Sequence, residues 1–161
     1  MLEVVANLFT RRDPRREARL GLARIISRYD MTCLSYEQGI TVERRDRDER
    51  HVALGVWLFP CKATAKAADL NIASGVPAVT HDLRSEGFGV MTPVSLKHKH
   101  FFVAVPDETD CWRFFKCDVR HNSVKPGNWY LLGLQVDVSI LLDGKQRIRF
   151  RDHIGEICGA E

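Results

Sequence analysis

The chain has 161 residues, of which 45 % are hydrophobic and 28 % charged, and a formal net charge of +3. A chain of ~150 residues buries roughly two-thirds of its unfolded surface, which suffices for one domain and an extra element but not for two full domains. The composition excludes a disordered chain, and the small net charge gives no support to a nucleic-acid-binding or membrane protein.

No apolar run approaches the roughly 20 residues of a membrane helix, and the N-terminus lacks the residue order of a signal peptide. A cytoplasmic protein without a transmembrane segment is expected. The five cysteines (Cys33, Cys61, Cys111, Cys117 and Cys158) are odd in number and unevenly spaced, with no Cys-x-x-Cys pair, and read as reduced and mostly buried.

Residues 2–9 are apolar and read as a short helix. Asp13-Pro14 then supplies an N-cap and a first-turn proline, which predicts a helix from about Pro14 to Tyr29. Its apolar residues Ala18, Leu22, Ile25, Ile26 and Tyr29 recur at three- and four-residue intervals, while Arg15, Arg16, Arg19, Arg24 and Arg28 occupy much of the rest. One stripe is expected to dock. The basic remainder is either a solvated face or a surface for a membrane or a protein partner.

Ile40-Thr41-Val42 looks extended and leads into a charged run at 43–50. From Val52 the period is two, with Val52, Leu54, Val56 and Leu58 alternating with Ala53, Gly55, Trp57 and Phe59 until Pro60, which predicts a strand. Residues 61–75 read as a loop with a helical turn. Short strands are expected at Val76–Thr80, Phe88–Thr92, Phe101–Val105, Cys111–Val119 and Tyr130–Val138, with Pro77 suggesting an edge position. In the last of these Leu132, Leu134, Val136 and Val138 form one buried face. Asp143-Gly144 either turns a hairpin or precedes a short helix through Arg147 to Ile157, and the helix is favoured. Short strands separated by turn signals predict an antiparallel barrel or sandwich.

Two segments carry the candidate chemistry. The first is the arm Glu43 to Arg50, with Arg44, Arg45, Arg47 and Arg50, running into the first strand. The second is Asp82-Leu83-Arg84-Ser85-Glu86-Gly87-Phe88-Gly89-Val90, between two strands. Together with Cys117–His121 and Tyr130–Leu134, which look like a closing hairpin, they resemble the PilZ domain over about residues 43–138. That family has an Arg-x-x-x-Arg arm before the first strand and an Asp/Asn-x-Ser-x-x-Gly turn. Here the arginines are not spaced four apart, and Arg84 stands at the serine position, with Ser85 beside it.

The resemblance implies a mainly β protein, a six-stranded antiparallel PilZ-like β-barrel. It divides the chain into an N-terminal helical extension (1–42), the barrel (43–138) and a C-terminal tail (139–161). It further implies a non-enzymatic bacterial receptor or adaptor for cyclic di-GMP, with Arg44, Arg45, Arg47, Arg50, Asp82, Arg84, Ser85 and Gly87 as ligand-binding residues and no cofactor or metal. The alternative is a barrel that no longer binds nucleotide and docks a protein through the basic helix at 14–29. The chemistry fits the residues. A guanidinium fork bonds phosphate or the O6/N7 edge of guanine, and a carboxylate accepts from guanine N1–H and N2–H₂.

Other candidates have a simpler structural reading. His98 and His100 could share a face, but no further ligand stands near them in sequence, and Cys111 and Cys117 read as core. Trp57, Trp112 and Trp129 read as barrel residues.

Overall fold

The computed structural model describes residues 13–33, 53–108 and 111–158. The expected helix at 2–9, the extended 40–42 and the arm at 43–50 lie outside the described residues. In chain order the elements are α1 (Pro14–Cys33), β1 (Gly55–Pro60), two 3₁₀ turns (Ala67–Asp69 and Ile72–Ser74), β2 (Val76–Arg84), β3 (Gly87–Thr92), β4 (His100–Glu108), β5 (Cys111–Lys125), β6 (Trp129–Ile140) and α2 (Gly144–Cys158). The strands close in the order β1-β2-β3-β6-β5-β4, each neighbouring pair antiparallel. This is the six-stranded antiparallel barrel expected, with a helix before it and a helix after it.

Alternation builds the interior. Leu54, Val56 and Leu58 point inward and meet Phe88 and Val90 of β3, Phe115 and Cys117 of β5, and Leu132 and Leu134 of β6. β4 does not alternate, because both of its faces are buried. Phe101, Val103 and Val105 fill the lumen, whereas Phe102 and Ala104 face outward into a second cluster with Phe59, Phe114, Leu142 and Phe150. That outer cluster lies under α2, and Leu70 and Ile72 from the 61–75 connection pack against it.

Capping fixes where both helices start. Asp13 accepts from the Arg15 amide at 3.0 Å through its side chain, ahead of Pro14. At α2 the Asp143 carboxylate accepts from the Gln146 amide at 2.8 Å while the Gln146 side chain accepts from the Asp143 amide at 3.1 Å, a reciprocal capping box that selects the helix over a hairpin at Asp143-Gly144. Gln146 also donates to the Ala67 carbonyl at 2.7 Å, tying α2 to the connection below it. α1 runs four residues beyond the predicted end and buries Ala18, Leu22 and Ile25 in the lumen cluster.

Closure corrects one expectation, since a closed barrel has no edge strand and Pro77 does not occupy one. It sits opposite Trp57, and β2 pairs with β3 only from Val79 onward, so the proline withholds no bond from that ladder. Bulges correct another. His81 in β2, Arg120 in β5 and Asp137 in β6 are extra residues at register shifts. The shift at Asp137 re-phases β6, so that Val136 packs against the lumen cluster while Val138 pairs with outward-facing Lys116. Of the three described thiols only Cys117 is buried; Cys61 is half-buried and Cys111, the first residue of β5, is exposed.

Candidate functional site

β2 and β3 are joined by a two-residue turn, Ser85-Glu86, closed by the pair Arg84 and Gly87. Gly87 is not there to reach a left-handed conformation. A Cβ on it would run into the carbonyl oxygen of Leu134, so the residue lets β3 approach β6. Ser85 is exposed at the turn.

Asp82 precedes the turn and directly follows the bulge residue His81. Its side chain is only 8 % exposed, and both oxygens are engaged. Oδ1 accepts from Arg84 Nε at 3.0 Å, and Oδ2 lies 3.0 Å from His81 Nδ1. Positions two apart on a strand share a face, which lets Arg84 fold back on Asp82 while the rest of its side chain remains 55 % exposed. Arg84 thus sets a cation directly against the buried carboxylate.

The Asp82 carboxylate fits because the residue opposite it has no side chain. Asp82 pairs with Gly89, Gly89 with Gly133, and Gly133 with His121, giving a row across β2, β3, β6 and β5. Phe88, Val90, Leu132 and Leu134 point into the lumen, so this row faces outward. The carboxylate occupies the place of a Gly89 Cβ, and the His121 ring that of a Gly133 Cβ. Sequence reasoning did not single out Gly89, Gly133 or His121 as site residues. The signal was present as a glycine between two inward apolar residues on two strands, Phe88-Gly89-Val90 and Leu132-Gly133-Leu134.

Arg44, Arg45, Arg47 and Arg50 lie outside the described residues. The chain that follows them joins the barrel at Leu54, whose amide donates to Thr80 Oγ1 at 2.8 Å and whose carbonyl accepts from the Thr80 amide at 2.9 Å. Thr80 stands two residues before Asp82.

The remaining candidates separate. His100 lies with Nδ1 2.8 Å from Asp118 Oδ1, whereas His98 stacks edge-on against Phe101, so the two imidazoles engage different partners. Burial pushes the Cys61 thiol up, opposed by the Lys116 ammonium, and pushes the Cys117 thiol well up, so neither is a thiolate at neutral pH. Lys116 Nζ is itself occupied, donating to the carbonyls of Ala63 and Ala65. Trp57 and Trp112 lie on the outer wall against α2, where their rings meet His153 and Phe150, and Trp129 is partly exposed at the start of β6.

No described helix is long and apolar enough to cross a membrane. Neither a protein-family model nor a curated protein matches the chain. Among solved structures it is similar to that of the Bacillus subtilis inhibitor of motility, MotI/DgrA, at 11 % sequence identity and a TM-score of 0.43. The likeness covers 78 % of this chain and 57 % of that one. The barrel assignment rests on the strand order itself.

Proposed function

We propose that this chain is a non-enzymatic, PilZ-type receptor that binds cyclic di-GMP on the outer wall of the barrel, beside the β2–β3 turn. The observation that carries the reading is the mutual bonding of Leu54 and Thr80. It fixes Leu54, four residues after Arg50, against Thr80, two residues before Asp82. Arg50 precedes Leu54 by four residues, a span of at most about 14 Å of extended chain. Guanidinium groups from Arg44, Arg45, Arg47 and Arg50 would then bond the phosphates and the O6/N7 edge of a guanine.

In this reading Asp82 is held in reserve by Arg84 and His81. Guanine N1–H and N2–H₂ replace those two donors on the carboxylate, and the released Arg84 turns its guanidinium to a phosphate. Arg84 therefore competes with the ligand, unlike the serine of the family pattern, and sets the affinity. Ser85 offers a hydroxyl at the rim, while Gly87 acts through packing.

The test is calorimetric titration with cyclic di-GMP, using GTP and cyclic AMP as controls. Saturable binding of cyclic di-GMP alone is expected, with Asp82→Ala abolishing it and Arg84→Ser tightening it. The absence of binding to the wild type and to Arg84→Ser would sink the receptor. A second reading, a barrel that serves only as a protein-interaction module, is favoured by one observation, the burial and double engagement of Asp82. α1 has its apolar stripe in the barrel, so a partner would meet its arginine face.

A further inference from the structure

α1, the turn residue Glu86 and the β5–β6 ladder enclose a cleft of about 320 Å³. Its floor is Leu22 and Val136, and its walls carry Arg15 and Arg19 from α1 and Arg120 from β5. Three features point to a built anion site. Arg15 and Arg19 are four apart on a helix and so project from one face over the opening. Arg120 and Asp137 are the extra residues of the two bulges in the β5–β6 ladder, and both line the cleft. Arg120 has neither a hydrogen bond nor an ion pair among the described residues, although it faces a cavity containing three carboxylates.

Each of those carboxylates, Glu86, Asp118 and Asp137, already has a partner, and for two of them it is one of the cleft's own helix arginines. Glu86 is 3.4 Å from Arg19, Asp137 is 3.5 Å from Arg15, and Asp118 is 2.8 Å from His100. The two arginine pairs are long and largely exposed, the kind of contact that contributes little and that a doubly charged anion displaces. A phosphate offers guanidinium forks two acceptors at once, which an exposed single contact to a carboxylate does not. Gln135 adds an amide donor on the same wall.

We propose that this cleft binds the phosphate group of a small phosphate ester, with Arg120 as its anchor and Arg15 and Arg19 closing over it from the helix. None of the residues of the Asp82–His121 row lines this cleft, and the proposal stands whether or not cyclic di-GMP binds that row. Titration of the full chain with inorganic pyrophosphate tests it, with parallel arms of 5′-GMP and O-phosphoserine to distinguish a nucleotide from a phosphoamino acid as the natural source. Saturable pyrophosphate binding is expected, weakened about tenfold or more in Arg120→Ala, partly retained in Arg120→Lys and unchanged in Asp82→Ala. Arg120 is exposed, and an unchanged thermal midpoint of Arg120→Ala confirms that the comparison is between folded proteins. No saturable binding of any of the three probes at millimolar concentration, or equal affinity of wild type and Arg120→Ala, overturns the proposal.

Discussion

Gly87 and Gly133 look alike in sequence, yet a side chain at each would meet a different obstacle. At Gly87 a Cβ strikes the Leu134 carbonyl, a fixed backbone atom, while at Gly133 it strikes the ring of exposed His121, which can rotate away. Gly87→Ala is therefore expected to cost about 2 to 4 kcal/mol and Gly133→Ala less than about 1, read from urea midpoints. Cys117 gives a second residue-scale test. Its folded thiol titrates well above its ordinary range because it is buried, so the unfolded chain loses that proton first as pH rises. The contribution is whole below about pH 8.5 and falls above it, by at most about 1.4 kcal/mol per pH unit. Wild-type stability should drop from pH 8.5 to 10.5 with a steeper slope than that of Cys117→Ala. Equal slopes would mean that the folded thiol keeps its ordinary range and that its burial contributes no pH dependence.

Elements were legible where a local rule decides them and obscure where a neighbour does. Asp13-Pro14 announced α1, because a cap involves only residues within one turn, while Asp143-Gly144 left a hairpin and a helix open until the capping box of Asp143 and Gln146 decided for α2. The register shifts at His81, Arg120 and Asp137 were not readable, since a bulge is defined by the strand opposite and a single strand does not name its partner. Val138 was assigned to the wrong face for that reason. The outer cluster was hidden too. Phe101–Val105 reads as a buried run, but nothing local says that α2 covers its outward half. Phe150 anchors that cover, with ring contacts to Phe59, Trp112 and Phe114. Phe150→Ala should cost about 3 to 5 kcal/mol and shift the emission of Trp57 and Trp112 to the red as α2 loosens. Unshifted emission would mean that α2 is not what keeps water from them.

At the scale of the whole molecule, the barrel divides its outer wall between two uses. α2 and the 61–75 connection bury the side formed by β1, β4 and the first half of β5, while the row from Asp82 to His121 carries glycine in place of apolar side chains. The candidate site was half legible. Asp82 and Gly87 stood out by their order around a turn, but the carboxylate's occupation by Arg84 and the glycine floor beneath it emerge only when four strands are set side by side. The same geometry sets the most direct test, amide chemical-shift mapping of the full chain during titration with cyclic di-GMP. The account predicts saturable shifts in the arm from Arg44 to Arg50 and in Asp82–Gly89, Gly133 and His121, all lost in Asp82→Ala. Shifts that leave this wall untouched, or no shifts at a saturating ligand concentration, would contradict it.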